Sequence, residues 1–279
     1  MNVLSIVFEE WFHPEFIEKN IASSQKKFQV INGIDKILEL LRKNDTYATF
    51  FVVGELLEHK QDLLDKILEG GHEIGFHTMN HSRLDSKNFQ EKFEIEIKKF
   101  SELTNRKSKG FRAPSFSLKK ESAWLIDILV KNNYKYDSSV FPVKTRLYGM
   151  PNAEHKPYKI SSQSIEKHDE SGKLLEFPLL TKKILGYSVP MAGGFYLRAI
   201  PMKFIEKSII NVEKSNFPAI MYVHSWELTP EYMPKISLPF FEKFVTYHNI
   251  NKTLSKIEHL IRKFEFTSFE RYMNNHSVF

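Results

Sequence analysis

The sequence contains no cysteine, and that absence removes several classes of protein at once. Disulfide frameworks, thiolate nucleophiles and cysteine-ligated zinc or iron–sulfur sites are all excluded. Any metal bound by these 279 residues must therefore be held by His, Asp or Glu. Long apolar runs are missing as well, and no run approaches the roughly 18 residues that a membrane-spanning helix needs.

The features of an export signal are also missing from the amino-terminal residues. Glu9 and Glu10 come too early for a basic segment followed by an apolar one, so a cytoplasmic location is expected. The net charge of +6 comes from 40 basic and 34 acidic residues that are interspersed along the chain. Because no basic stripe alternates with aromatic residues, a nucleic-acid partner is not expected. Peripheral contact with an anionic membrane face, or binding of a phosphate-linked sugar, fits the charge.

The composition is that of a globular protein, with 42% hydrophobic and 27% charged residues. Apolar periodicity predicts strands and helices that alternate along the chain. The predicted strands are 4–8, 49–53, 72–76, a short one around 111, 174–180 and 219–223. The predicted helices are 30–41, 56–68, 89–103, 121–130, 203–212 and 254–264. This alternation indicates a single α/β domain with parallel strands, arranged as an open sheet or a barrel. The polar segment 144–173 lacks periodicity and is expected to be a loop.

Polar side chains follow the ends of the predicted strands, where such folds gather their function. These residues are Glu9 and Glu10, His77 and His81, Arg112, Asp137, and His224. Two histidines four residues apart can reach one ion from a helical turn or a tight loop, and a carboxylate from a neighbouring strand completes a three-ligand site. A histidine pair alone is weak evidence for a metal. The other strand-end residues make the metal interpretation the favoured one.

These residues belong to longer motifs. The motifs are IVFEEWFH (6–13), HTMNH (77–81), FRAPSF (111–116), YDSSVFP (136–142), AGGFYLR (192–198) and HSWE (224–227). In this order they resemble the polysaccharide deacetylases with a NodB homology domain, carbohydrate esterase family four, and within that family the exopolysaccharide-associated branch. The resemblance spans nearly the whole chain. It implies one catalytic domain over residues 1–279, folded as a distorted (β/α) barrel of about seven parallel strands.

The resemblance further implies metal-dependent hydrolysis of the N-acetyl group of an amino sugar. His77 and His81 match the ligands of the divalent metal, which in this family is usually zinc. The third ligand is an acidic residue of the first motif. Since residues two apart in a strand share a face, Glu9 points with position 7 and is the expected ligand, while Glu10 remains the second candidate. The expected substrate is an N-acetylated amino sugar in a polysaccharide or in a nucleotide- or lipid-linked precursor.

The resemblance also assigns catalytic roles. His224 matches the general acid, and Asp137 either orients a neighbour in the pocket or caps a turn. The family's general base is an Asp, which normally pairs with the residue at Arg112, but here Val7 occupies the base position. Loss of a positioned base lowers the rate by roughly 10²–10⁴. Arg112 is therefore expected to pair with Glu10 or Asp137.

Three explanations of Val7 stay open: an engineered base-to-Val variant, a natural relative that kept binding and lost activity, or a base supplied by Glu10 from a shifted position. The aromatic residues beside the motifs are expected to form a sugar-stacking platform or to belong to the core. The candidates for that platform are Trp11, Phe116, Tyr196 and Trp226. The alternative functions are a sugar-binding relative without turnover and an amidase that acts on non-sugar amides. The sequence predicts no oligomeric state.

Overall fold

A computed structural model describes residues 1–145 and 147–276. Its strands are β1 (Asn2–Phe8), β2 (Thr49–Val52), β3 (Glu73–Phe76), β4 (Gly110–Phe111), β5 (Tyr136–Asp137), β6 (Tyr158–Ile160), β7 (Leu174–Glu176), β8 (Thr181–Ile184), β9 (Tyr187–Pro190), β10 (Ile220–His224) and β11 (Phe266–Thr267). All but β8 and β9 belong to one sheet.

Seven strands of this sheet run parallel in the order β10-β1-β2-β3-β4-β5-β7. An antiparallel β6 forms the edge beside β7, and β11 pairs with the beginning of β1. The sheet curls into a half-barrel with helices around it. The predicted single-domain α/β barrel of about seven parallel strands is thus confirmed. The barrel is incomplete, so the sheet stays open on one side.

Short and medium helices connect the strands. They are α1 (Glu15–Glu18), α2 (Ile34–Lys43), α3 (Glu55–His59), α4 (Leu63–Glu69), α5 (Phe89–Leu103), α6 (Trp124–Lys131), α7 (Gly194–Ala199), α8 (Met202–Glu213), α9 (Ser225–Leu228), α10 (Phe240–Tyr247), α11 (Thr253–Lys263) and α12 (Phe269–Asn275). Single 3-10 turns lie at Ser23–Gln25, Val30–Gly33, Pro114–Phe116, Lys120–Ser122, Pro230–Tyr232 and Ile250–Lys252. No helix within the described ranges is long and apolar enough to cross a bilayer.

Several predicted elements have different bounds in the structure. The helix expected over 56–68 is divided into α3 and α4, because Lys60 adopts an extended backbone (φ −129°, ψ 95°) that interrupts helical hydrogen bonding. The strand expected over 174–180 ends at Glu176, and the chain then forms the β8–β9 hairpin, which the prediction missed. The segment 144–173, predicted as a loop, contains β6.

The core lies on both faces of the parallel sheet. All seven residues of β1 are buried, as are all four of β2 and of β3, which is typical of parallel strands covered by helices. Because parallel strands end at one edge, the residues that follow β1, β3, β4 and β10 are brought together there. The strand-end polar side chains predicted from the sequence therefore meet at this edge, with the exceptions described below.

Candidate metal and active site

A cavity of about 300 Å³ opens at the carboxyl edge of the sheet. Its polar wall includes five of the residues predicted from the sequence, and its apolar wall is largely aromatic. The predicted residues are Glu9, His77, His81, Arg112 and His224, and Val7 lies beside them. The prediction that position 7 and Glu9 share a face is confirmed, since both line the cavity.

Glu9, His77 and His81 converge on one point of the cavity wall. His81 Nε2 lies 2.8 Å from Glu9 Oε2, and His77 Nε2 lies 4.0 Å from the same oxygen. One ligand atom from each residue falls within 4.8 Å of the others, and all three side chains are buried. The loop after β3 achieves this with left-handed backbone at Thr78 and His81 (φ 58° and 55°). The structure therefore brings the predicted metal ligands together.

The hydrogen bonds around these residues turn their ligand atoms toward one another. Glu9 Oε1 accepts a hydrogen bond from the Trp226 indole at 2.9 Å, whereas its buried Oε2 faces His81 Nε2 at 2.8 Å and has no other hydrogen-bond partner within the described part of the chain. His77 Nδ1 lies 2.7 Å from the Arg112 carbonyl, to which it donates, so that Nε2 presents its lone pair to the cavity. Two imidazole nitrogens and one carboxylate oxygen form a set that fits zinc, with open positions for water and substrate.

Electrostatics favour the protonation states that a metal requires. Burial would raise the pKa of Glu9, but the neighbouring imidazoles of His81, His224 and His77 outweigh burial and lower that pKa below its ordinary value. Burial and the adjacent His81 lower the pKa of His77 well below its ordinary value. An ionised Glu9 and a neutral His77 are therefore the dominant forms at neutral pH, and these are the forms that bind cations.

Two residues that were not predicted from the sequence, His13 and Glu55, hold His81 in place. His13 contacts the ring of His81, and Glu55 contacts His13. The ring of His13 stacks on that of His81, with centroids 5.4 Å apart and an interplanar angle of 10°. His13 Nδ1 accepts a hydrogen bond from the Glu10 amide, so its Nε2 carries the proton and donates to Glu55 Oε1 at 2.6 Å. His13 is the last residue of the first motif, but nothing in its spacing indicated the contact with His81.

Glu10, the second candidate for ligand and base, lies elsewhere. Both of its carboxylate oxygens accept hydrogen bonds from the backbone amides of Gln29, Val30 and Ile31, at 2.8–3.0 Å. The side chain thus satisfies amides at the start of a 3-10 turn, where a carboxylate is favourable. It does not line the cavity. The predicted catalytic role of Glu10 is therefore corrected to a structural one, because the chain after the end of β1 directs its side chain to the backbone of residues 29–31 and away from the cavity.

His224 ends β10 and reaches the cavity from the strand that pairs with Val7. Its Nδ1 lies 2.7 Å from Glu227 Oε2, and the other oxygen of Glu227 accepts a hydrogen bond from Arg198 Nε at 2.7 Å. Burial acts to lower the pKa of His224, but the negative charge and hydrogen bond of Glu227 outweigh it and raise the pKa above its ordinary value. Trp226 stacks on the imidazole at 5.1 Å and fixes its plane.

Glu227 and Arg198 were quoted in motifs but not predicted as site residues. Both are buried, and Arg198 also donates to the backbone carbonyls of Val245, Thr246 and His248. The spacing of HSWE was the available signal, because a residue three positions after His224 in a helical turn returns to its side. The pair holds His224 in one orientation and in one tautomer.

Arg112 is fully buried, and its guanidinium contacts no carboxylate among the hydrogen bonds and ion pairs of the described residues. It donates instead to Ser5 Oγ at 2.7 Å and to the carbonyl and hydroxyl of Ser138 at 2.9 and 2.8 Å. The expectation that Arg112 pairs directly with Glu10 or Asp137 is therefore wrong. Its carbon Cζ lies 4.3 Å from the ring centroid of Phe51, the register partner of Val7, so Arg112 and position 7 adjoin.

Asp137 lies at the end of β5 beside Glu176 of β7 and does not line the cavity. Burial raises the pKa of Asp137, and burial together with the Asp137 charge raises that of Glu176 well above its ordinary value. One carboxyl oxygen of each has no other hydrogen-bond partner among the described residues, so we interpret the two as sharing a proton. Burial lowers the pKa of Arg112 to about 10, and the charge of this carboxylate pair is one of the smaller effects that oppose the lowering. Asp137 thus affects Arg112 through its charge and not through a direct contact.

The predicted aromatic platform is found in part. Phe116, Tyr196 and Trp226 line the cavity. Trp11 does not: its ring is 2% exposed in a small separate apolar cluster, and its indole N–H donates to the carbonyl of Lys27. The prediction for Trp11 is therefore corrected from sugar platform to core. Rings that the sequence analysis did not assign also line the cavity, among them Phe16, Tyr148, Phe195, Tyr222, Phe241 and Phe244.

A family model described as polysaccharide deacetylase matches residues 15–136, and a second, described as a domain of unknown function (DUF3473), matches residues 138–274. The chain is 40% identical over 82 residues to a peptidoglycan-N-acetylglucosamine deacetylase of Bacillus cereus, covering 28% of this chain and 38% of that protein. It is 26% identical over 183 residues to a peptidoglycan deacetylase of Helicobacter pylori, covering 63% of this chain and 58% of that protein. The chain spans less than two thirds of the length of these relatives.

Among solved structures, a Mycobacterium smegmatis protein assigned as a polysaccharide deacetylase superposes with a TM-score of 0.57 at 12% identity, over 98% of this chain and 90% of that one. A 4-alpha-glucanotransferase of Thermococcus litoralis gives 0.55 at 14% identity, over 99% of this chain and 41% of that one. Similarities at this identity show the shared barrel and no activity. The family match, the peptidoglycan deacetylase relatives and the order of the motifs agree: residues 15–136, a little under half of the chain, match the polysaccharide deacetylase family, and the motifs along the whole chain resemble those of this family.

Proposed function

We propose that this protein is a metal-dependent hydrolase that removes the N-acetyl group of an amino sugar, in a polysaccharide or in its nucleotide- or lipid-linked precursor. The observation that carries the proposal is the convergence of Glu9, His77 and His81, whose two imidazole nitrogens lie 2.8 and 4.0 Å from one buried carboxylate oxygen of Glu9. The same cavity contains His224, whose hydrogen bond to Glu227 prepares it to carry a proton.

Glu9, His77 and His81 would hold the metal, which we infer to be zinc from the donor set. When bound, such an ion polarises the amide carbonyl and lowers the pKa of water in its shell to about 7. The chain's own residues supply the remaining requirements. Trp226 orients the Glu9 carboxylate by holding its other oxygen, and the Arg112 carbonyl fixes the His77 ring.

His224 supplies the proton for the leaving amine. Its Nδ1 faces Glu227, so Nε2 is the nitrogen available to the cavity, and Glu227 stabilises the imidazolium form. Hydrolysis forms a bond from water oxygen to the acetyl carbon and breaks the bond from that carbon to the amine nitrogen. The nitrogen takes the proton from His224 Nε2, and the proton released by water must be accepted either by a separate base or by His224 itself in its neutral form.

Val7 determines which group can accept the proton released by water. A valine cannot accept a proton, and Glu10 is engaged by three backbone amides. Glu15 lines the cavity but its carboxylate lies 3.0 Å from Arg83 Nη1. We therefore propose that the chain turns over slowly, with neutral His224 accepting the proton of water before it is passed to the amine. A rate roughly 10²–10⁴ lower than with a carboxylate base follows.

The decisive experiment measures metal content and acetate release for the unaltered chain and for Val7→Asp and Val7→Asn. The substrates are nucleotide-linked, lipid-linked and polymeric N-acetylhexosamines, with a small formamide as a non-sugar amide. We expect all three proteins to bind one zinc ion per chain, and Val7→Asp to gain about 10²–10⁴ in rate. Val7→Asn, of similar size and unable to act as a base, should gain nothing. A chain that binds no metal, or that cleaves only the small amide, would contradict the proposal.

A second candidate function is favoured by one observation: all three guanidinium nitrogens of Arg112 donate to serines, and none donates to a carboxylate among the described residues. A site adapted in this way could bind an acetylated sugar without cleaving it. That reading predicts saturable sugar binding and zero acetate release from both the unaltered chain and Val7→Asp. A measurable gain by Val7→Asp excludes it.

A further inference from the structure

The β8–β9 hairpin exposes large apolar side chains at its tip. The side chains of Leu185 and Tyr187 are 94% and 78% exposed, and Ile184 is 40% exposed. Only two residues, Leu185 and Gly186, connect the strands, and Ile184 pairs with Tyr187 across the turn. The hairpin pairs with no strand of the main sheet in the part of the chain that the structure describes. The exposed side chains of Leu185 and Tyr187 therefore do not contribute to the core.

The turn itself is unfavourable for a leucine. Both turn residues have positive φ, 49° at Leu185 and 84° at Gly186, which defines a type I′ turn. Asn-Gly is the favoured pair for this turn, whereas a bulky side chain at positive φ is strained. Since the Leu185 side chain is almost fully exposed, no packing within the chain offsets the strain. An apolar residue at this position indicates contact with something outside the chain.

Positive charge surrounds this tip. No acidic residue occurs between Glu176 and Glu206, a stretch that contains the hairpin and the start of α8. Lys182 Nζ and Lys203 Nζ lie 5.7 and 5.3 Å from the Phe204 ring centroid, so the hairpin and α8 adjoin. We define the hairpin patch as Lys182, Lys183, Leu185, Tyr187, Lys203 and Phe204. None of its lysines forms an ion pair with an acidic residue within 1–145 and 147–276.

We propose that the hairpin patch binds the surface of an anionic lipid bilayer. Apolar tip residues next to an aromatic ring and unpaired lysines match the layers of a membrane interface, where acyl chains lie beneath phosphate groups. A tyrosine prefers this boundary because one end of its ring is apolar and the other is polar. A polyanion without an apolar layer would have no use for the exposed Leu185.

The hairpin is connected directly to the candidate active site. β9 ends at Pro190, and Gly194, four residues later, lines the cavity. The nine residues from Leu185 at the tip to Gly194 span at most about 32 Å of extended chain. Binding at the hairpin patch would therefore hold the cavity within about that distance of the bilayer surface. The proposal stands without the proposed function, because lipid binding requires neither metal nor turnover.

The test is co-sedimentation of the purified full chain with unilamellar vesicles of phosphatidylglycerol and phosphatidylcholine, compared with vesicles of phosphatidylcholine alone. We expect binding to the anionic vesicles that weakens as salt is raised. Lys182→Gln with Lys183→Gln should weaken binding roughly 30-fold, because each lysine near an anionic surface contributes about a fivefold gain. Leu185→Asn should weaken it about tenfold through the loss of inserted apolar surface.

Leu185→Asn is informative because it cannot be dismissed as misfolded. Asn-Gly suits the type I′ turn, so the midpoint of thermal unfolding should be maintained or raised. The matched control is Ile95→Ser on α5, which removes a 70% exposed apolar side chain flanked by Glu94 and Glu96 and should leave binding unchanged. The proposal is overturned if the unaltered chain ignores anionic vesicles, or if Leu185→Asn binds equally well. A fall in molar mass by light scattering in Leu185→Asn would show a second copy on the patch and overturn it as well.

Discussion

The two sides of the cavity differ in how completely they are prepared for hydrolysis. On one side, Glu9, His77 and His81 converge, and each is held by a specific hydrogen bond or ring contact. On the other, Val7 stands where the family has its base, and Arg112 is satisfied by serines. We call the first the metal side and the second the base side: the three candidate ligands are held by defined contacts, whereas no carboxylate contacts Arg112 among the described residues. Metal binding and proton transfer can thus be separated in this protein, and they can be tested one at a time.

The largest effect is expected from a substitution on the metal side. His81→Ala removes one of three ligands, and zinc affinity should fall by more than 100-fold, since even residues that only orient a ligand contribute 10- to 100-fold. Competition with a chromophoric chelator measures this. His259→Ala, a half-exposed histidine paired with Glu206, is the control and should bind zinc normally. Unchanged affinity in His81→Ala would show that the ion binds elsewhere.

The next prediction sharpens the contrast on the base side through a double-mutant cycle. Arg112→Met should destabilise the Val7→Asp variant by about 3–5 kcal/mol, because it leaves a buried carboxylate unpaired. In the unaltered chain the same substitution should be milder by about 2 kcal/mol, since only neutral hydrogen bonds to Ser5 and Ser138 are lost. Urea unfolding of the four proteins gives the coupling free energy. Equal losses in both backgrounds would mean that Asp at position 7 does not reach Arg112.

A third prediction compares two adjacent carboxylates that face in opposite directions. Glu10→Gln should lower the free energy of unfolding by about 2 kcal/mol, because its amide group would meet backbone N–H groups in place of an acceptor. Its zinc affinity should not change. Glu9→Gln should show the reverse, with weakened zinc binding and little change in the stability of the metal-free protein. A loss of zinc affinity in Glu10→Gln would return that residue to the site.

The smallest effect concerns proton transfer. Glu227 raises the pKa of His224, and the protonated form donates to the amine, so activity should fall as pH rises through that pKa. Glu227→Gln removes the negative charge and should move this alkaline limb to lower pH by about one unit, which corresponds to about 1.4 kcal/mol. The pH dependence of kcat/KM is measured in the Val7→Asp background. Glu227→Asp should restore the limb, which a purely structural role of Glu227 would not require.

Much of the site was predictable because it depends on positions along strands. The alternation of side chains on β1 placed Val7 and Glu9 on one face, and the parallel arrangement brought His77, His81 and His224 to the same edge. The wrong predictions concerned which groups the predicted side chains contact. Arg112 was expected beside an acid but contacts Ser5, which is 107 residues away in sequence. Trp11, expected at the cavity, lies in a core cluster with Trp226.

The predicted bounds of helices and strands were wrong where the local sequence pattern and the long-range contacts disagreed. The helix α5 lies where its apolar periodicity predicted it, over Phe89–Leu103. The β8–β9 hairpin was missed because its strands show no clear alternation and its turn carries Leu in place of the usual Asn. Its unusual character becomes visible only from its backbone angles and exposure.

Residue identity and spacing were enough to predict a ligand set, a general acid and the position of the missing base, because these predictions depend on side-chain chemistry and on short-range strand geometry. Three-dimensional packing was needed to show that Glu10 serves the backbone, that serines satisfy Arg112 and that Glu227 controls His224. Those contacts are set by side-chain directions at the barrel edge, where strands distant in sequence adjoin. A linear pattern carries no information on which of several nearby acceptors a buried donor will meet.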